Sequence, residues 1–474
     1  MKHRGYRVEI RYRSLTFWTS SKFIRILGFY NPDATSEDSE KDFQELKVQE
    51  DAAISIFADQ IIIKLRSDWK TTTGLFPAGS LIVGSVKDVL NKGDAATYHV
   101  LFTPTPTVSL SSYTKTKNFL ILHTLDSVKS RLHFWSYSKS QDSDEWLWKF
   151  HDAEEKAVIR GASVTAVDED ENDFYWWTTS SFITPSTLSL GNATQGPKGV
   201  ALAKPLKSLP HQFNSEGLVE AQFEAVSKDG TKVPYFIIYK DSDGKGVLTN
   251  RCTPTLLYGY GGFEISLTPS YAALVGSGWL EKGGCYVSAN IRGGGEFGPS
   301  WHQAAKRENR QLAYDDFIAV AEDLIQRGIT SPGNLGIRGG SNGGLLMGNM
   351  IVQRPDLFGA VCCAVPLLDM KIFNRLLAGN SWMAEYGNPD TDDWKFLKNY
   401  SPYHNIDAKG CTLYPPLLMT TSTRDDRVHP YHARCFVKRL IDCQDTKIHD
   451  EKSLGKSFIY DCFSVYDGIK ETCC

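Results

Sequence analysis

"IRGGSNGGLLMGNM", residues 337–350, sets one serine between two pairs of glycines just before an apolar run. Glycine is a poor helix former, costing about 1 kcal/mol against alanine at each interior position. Four of them around one hydroxyl therefore point to a backbone that needs room. The letters before, "NLGIRGG" (334–340), read as an apolar strand, and those after, "GLLMGNMIVQR" (344–354), as a helix. G-x-S-x-G between a strand and a helix, with Gly339, Ser341 and Gly343 in the fixed places, is the nucleophile-elbow pattern. In such a turn a flanking side chain would collide with its neighbours, and the serine is held at the carboxyl edge of the sheet. It also sits at a helix start, whose dipole favours developing negative charge. A plain glycine-rich strand-to-helix turn is the competing reading.

Outward from the serine, strand and helix alternate. "TPTLLYGYGGF" and "CYVSANIRGGG" are apolar strands ending in glycine. "DDFIAVAEDLIQRG" (315–328) carries apolar residues at helical spacing and closes on Gly328. "AVCCAV" and "PPLLMTTS" read as further strands, and "HPYHARCFVKRLID" as a helix. Alternation of this kind implies βαβ units and a mostly parallel, doubly wound sheet.

The chain changes character upstream of about residue 213. "AISIF", "IIIKL", "SLIVGSV", "YHVLF", "FLILH", "RLHFW" and "DFYWW" are short β-branched and aromatic runs separated by polar turns. Seven of the eleven tryptophans lie there, as suits sheets packed face to face. The acidic stretch 35–51 reads as a solvated loop or short helix. A propeller blade takes roughly 40–50 residues, so this half has room for four or five, although no clean repeat is visible. The expected domains are 1–212, all β; 213–443, α/β; and 444–474, a tail of another character.

Composition narrows the function. A net charge of −3 offers no single-sign field to attract nucleic acid or a membrane surface. No run of about 18 apolar residues is present, and "MKHRGYRVEI" has no apolar segment behind its charges, so a cytoplasmic location is expected. All ten cysteines follow residue 250 without a CxxC pair, which argues for reduced thiols and against a zinc site. No metal and no cofactor are expected. One competing motif is "GGGEFG" (293–298), a G-x-G-x-x-G match with Asp315 and Asp316 nearly 20 residues on, and a lone match of that kind is weak evidence for a dinucleotide site.

"YGYGGF", "ANIRGGGEFG", "GGSNGG", "RPDLFGAV", "SWMAEYG", "YSPYHN" and "DDRV", in this order, resemble the prolyl oligopeptidase family of serine peptidases. The resemblance is dense from about 220 to 440. It implies an α/β hydrolase catalytic domain preceded by an all-β domain, here a partial β-propeller, and cleavage of short peptides after proline by a monomer. By motif it makes Ser341 the nucleophile and Asp425 the triad carboxylate, preferred over Asp426. The oxyanion donors would be the Asn342 N–H and the Tyr260 hydroxyl. Phe263, Trp382 and Tyr386 would wall a proline pocket, and Arg427 would bind a substrate carbonyl.

The triad's base is missing from this pattern. The family places a histidine after the aspartate in a glycine-flanked loop, around 460–466, where this chain reads "YDCFSVY". Downstream of Asp425 the histidines are His429, His432 and His449. The first two belong to the helix after "DDRV", and the third is too close to the aspartate. The expectation is a chain with the family's chemistry that is severely impaired as written, a fragment or altered-end form of a longer peptidase. A non-catalytic family member that binds peptides or partners is the alternative, and broader esterase activity is a third.

Overall fold

The computed structural model describes residues 6–29, 42–139, 146–151, 160–241, 252–409, 411–448 and 461–464. The chain forms two compact units: residues 1–210 with 268–271 and 296–300, and the remainder.

Besides a two-stranded ribbon, Trp69–Lys70 with Leu75–Phe76, the first unit contains four larger antiparallel sheets, about 50 residues apart. The first has three strands: Tyr6–Ser14, Ser20–Phe29 and Gln44–Glu45. The others have four each, spanning Ala53–Phe102, Val108–His151 and Gly161–Ser208. Each of the seven quoted runs lies mostly within a strand. The acidic stretch departs from its expected loop or helix: Gln44 and Glu45 pair with Ile24 and Phe23 to complete the first sheet, while residues 35–41 lie outside the described residues. Val86–Lys92 is a helix that the strand-rich text did not suggest.

Period-2 geometry explains how these sheets stack. In the strand Gln60–Lys64, Ile61 and Ile63 enter one apolar cluster with Ile24, Ile54 and Ile82. Ile62, facing the other way, joins Leu81, Val83, Leu120 and Leu122. Ile121, between those last two, turns to a third cluster with Phe134, Tyr175 and Trp177. The central strands of the two middle sheets are therefore buried on both faces, and they carry consecutive apolar residues, Ile61–Ile63 and Leu120–Leu122.

The second unit is built on an eight-stranded sheet: β1 (Leu218–Val226), β2 (Lys232–Lys240), β3 (Thr255–Tyr258), β4 (Cys285–Ala289), β5 (Leu335–Gly340), β6 (Ala360–Ala364), β7 (Leu417–Thr421) and β8 (Asp461–Ser464). Their order is β1-β2-β4-β3-β5-β6-β7-β8. Strands β3 to β8 pair parallel, and β2 runs antiparallel to both its neighbours. The reading of simple alternation did not anticipate this opening hairpin. Helices α1 (Gln311–Gln326), α2 (Asn342–Gln353) and α3 (Tyr431–Ile448) follow β4, β5 and β7. The core is one cluster in which Leu257, Val287 and Ile337 of the sheet pack with Phe317, Leu345 and Phe436 of the helices. Because β3, β5 and β7 run parallel, the loops after them emerge at one edge, and those loops carry Tyr260, Ser341 and Asp425.

Candidate active site

Ser341 joins β5 to α2 with φ 57° and ψ −117°, a left-handed backbone in a residue that is not glycine. Such a conformation persists only where the surroundings enforce it. Its N–H donates to the Ala364 carbonyl (2.9 Å), and its own carbonyl accepts from Gly344 (2.9 Å) and Leu345 (3.1 Å). The flanking glycines are steric requirements. A Cβ on Gly339 would lie 2.3 Å from the Gly343 carbonyl oxygen, one on Gly343 2.8 Å from that of Gly259, and one on Gly344 2.7 Å from Pro366 Cα. Gly340 alone has room, its nearest atom being 3.5 Å away. Ser341 itself is half-buried.

Asn342 opens α2, so its backbone N–H is one of the helix's orphan donors. Its side chain is fully buried: Nδ2 donates to the Tyr260 carbonyl (2.5 Å), and Oδ1 accepts from Arg310 and from the Tyr386 hydroxyl (2.8 Å). Tyr260 packs along the Gly343 backbone. Burial pushes its phenol above the ordinary value, so the group stays protonated and able to donate.

The aromatic residues divide. Phe263 is half-buried with φ 55°, and its ring meets Tyr386 edge-on at 5.7 Å. Trp382 is half-buried against the same core. Tyr386 is 0% exposed, so it touches Phe263 and Asn342 and presents no open surface.

Asp425 lies in the turn after β7. Its Oδ1 accepts the N–H groups of Arg427 (3.0 Å) and Val428 (2.9 Å). It is half-buried, whereas Asp426 and Arg427 are exposed. Among the described residues, no histidine hydrogen-bonds to the Ser341 hydroxyl or the Asp425 carboxylate. His429 Nδ1 accepts the Tyr431 N–H (3.0 Å). His432 is buried, its Nδ1 accepting from Leu368 (3.4 Å) and Asp369 (3.1 Å), and burial holds its pKa down at about 4. His449 lies outside the described residues. The segment where the family pattern wants a histidine forms β8, and its four described residues, Asp461–Ser464, include none.

Three residues that the sequence reading passed over lie behind Asn342. Glu385, inside the quoted "SWMAEYG", takes hydrogen bonds from His302 (2.7 Å), Arg310 (3.1 Å) and the Phe263 N–H (3.0 Å). Burial alone would raise this carboxyl, but the His302 hydrogen bond and the Arg310 charge outweigh it and hold the pKa below the usual range. A glutamate inside a mostly apolar motif was the available signal. Of the two acids in the dinucleotide reading, Asp316 is buried and spent on Arg292, which bonds it through its N–H (3.0 Å), Nε (2.9 Å) and Nη2 (2.6 Å), and the half-buried Asp315 accepts from Gln311 (2.9 Å).

Residues 273–452 match the prolyl oligopeptidase family. An uncharacterised peptidase of Sinorhizobium fredii is 45% identical over 380 residues, covering 80% of this chain and 50% of the relative. The prolyl endopeptidase of Elizabethkingia meningoseptica is 40% identical over 282 residues, 59% of this chain and 38% of the relative. Among solved structures, a post-proline cleaving enzyme from Rickettsia typhi superimposes with a TM-score of 0.78 at 34% identity, over 92% of this chain and 59% of that one. The chain thus spans about half the length of the curated relatives it matches.

Proposed function

Starting from this chain's membership of the prolyl oligopeptidase family, we propose that its site is that of a serine endopeptidase acting on short proline-containing peptides. The observation that carries the reading is the enforced left-handed backbone at Ser341, with glycines where a Cβ cannot fit. In this reading Ser341 Oγ attacks the carbonyl carbon of the proline, and the amine of the following residue leaves. The developing oxyanion receives the Asn342 N–H and the Tyr260 hydroxyl, two donors fixed before the reaction begins. Phe263 and Trp382 offer aromatic faces to the pyrrolidine ring, backed by Tyr386. Arg427 supplies a fork of donors to a substrate carbonyl. Asp425 is the carboxylate that would orient a base.

No histidine of the described residues stands between Asp425 and Ser341, and serine is a weak nucleophile without one. Loss of a triad member leaves only the residual rate given by the oxyanion hole and binding. We therefore propose peptidase chemistry severely impaired in this chain, with a peptide-binding, non-catalytic role as the second reading. Among the described residues no helix is long and apolar enough to cross a membrane. Turnover of an N-acyl-Gly-Pro amide beside titration with the matching N-acyl-Gly-Pro product separates the two readings. Binding with slow, Ser341-dependent turnover supports the first, and binding with no turnover above that of Ser341→Ala supports the second. Rapid turnover overturns the impairment.

A further inference from the structure

Phe263 stands in the loop after β3 and Asn342 opens α2, yet the same buried ions hold both. Glu385 is 1% exposed. Its Oε1 accepts the Phe263 N–H (3.0 Å) and Arg310 Nη1 (3.1 Å), while Oε2 accepts His302 Nε2 (2.7 Å). The other arm of the wholly buried Arg310 donates to Asn342 Oδ1, and Asn342 Nδ2 in turn donates to the Tyr260 carbonyl (2.5 Å). The segment so gripped is strained: Phe263 and Glu264 both lie in the left-handed region, at φ 55° and 58°. Two consecutive non-glycine residues in that region need an external hold, and a charge-assisted hydrogen bond from a desolvated carboxylate is a strong one.

We propose that Glu385 is a positioning residue that couples the proline pocket to the oxyanion donors. Through the Phe263 N–H it sets one wall of the pocket. Through Arg310 it sets the Asn342 side chain, and with it the start of α2 and the Tyr260 loop. The carboxylate touches no substrate, being closed off on every side. This rests on the serine-peptidase reading of the same site and adds that pocket and oxyanion hole share one fastening.

Two ligands separate the two arms when titrated calorimetrically into the whole chain. N-benzyloxycarbonyl-glycyl-pyrrolidine fills the pocket alone, and N-benzyloxycarbonyl-glycyl-proline adds a carboxylate at the oxyanion position. Glu385→Gln is expected to weaken both about tenfold. Tyr386→Phe removes one hydroxyl from Asn342 and leaves every charge paired. It is expected to reduce the preference for the carboxylate ligand about fivefold. A purely structural role would lower the melting temperature while leaving both affinities of the folded protein, and that preference, unchanged. If Glu385→Gln melts like the parent and keeps both affinities within twofold, the coupling is overturned. Where Glu385→Gln does not fold, Tyr386→Phe decides: a reduced preference supports the coupling, and an unchanged one overturns it. An unsubstituted chain that binds neither ligand overturns the functional reading and this inference with it.

Discussion

The β5 and β7 ends of one sheet edge are built in opposite ways. After β5, Ser341 and Asn342 are locked by glycines that admit no Cβ and by a buried Arg310–Glu385–His302 network. After β7, Asp425 is held by two backbone N–H groups of its own turn, among exposed neighbours, with no histidine partner among the described residues. The turn that presents Ser341 is thus pre-organised, whereas Asp425 has, among the described residues, no histidine to orient. Pre-organisation and proton transfer are separable: the first is paid for in buried structure, and the second depends on one residue.

The largest effect that tests this contrast is Gly339→Ala. A methyl 2.3 Å from a carbonyl oxygen in a fixed turn is expected to destabilise the second unit by about 3 kcal/mol or more. Gly340→Ala, at 3.5 Å from its nearest neighbour, is expected to cost under about 1 kcal/mol. Chemical denaturation of both variants checks the difference, and equal losses would break the claim that the elbow is sterically dictated.

His432 gives a pH signature close to β7. Its folded pKa, about 4, lies below the ordinary 6.5, so the unfolded chain binds more protons between those values. Its contribution is fully present above about pH 6.5 and is lost as pH falls toward 4, at most about 3 kcal/mol. His432→Gln should flatten that part of the stability profile. An unchanged slope would show that other groups set it.

On the β5 side, Tyr260→Phe is expected to reduce the residual rate of Ser341 acylation about a hundredfold, the usual cost of one oxyanion donor. On the β7 side, Asp425→Asn keeps an oxygen for the turn and, among the described residues, has no base to disorient. It is expected to change that rate less than about threefold and stability by under about 0.5 kcal/mol. A loss of several orders of magnitude for Asp425→Asn would reveal a base partner and erase the contrast.

Much of this architecture could be read from the letters. The glycines around Ser341 announced the elbow because each answers a distance under 3 Å at Gly339, Gly343 and Gly344, and the fourth, Gly340, is the one the turn does not need. The strands of the first unit were legible as apolar runs, but not as a repeat. "IIIKL" opens on three consecutive isoleucines because Ile62 and its two neighbours serve different clusters, so the side-to-side alternation that would mark a blade is erased. Glu385 escaped notice because its partners, His302, Arg310 and the Phe263 N–H, lie 75 to 122 residues away in the chain. The antiparallel place of β2 in the sheet was missed for the same reason, since its pairing with β4, Tyr235 opposite Ala289, is a long-range fact that local spacing does not carry.

The most direct test is the pH dependence of Ser341 phosphonylation by a small fluorophosphonate, with the modified peptide identified by mass. A hydroxyl held toward oxyanion donors but without an imidazole base should be labelled slowly, the logarithm of the rate climbing steadily from pH 6 to 9 without a plateau. Labelling that levels off near neutral pH, or no adduct on Ser341 at all, would contradict the account.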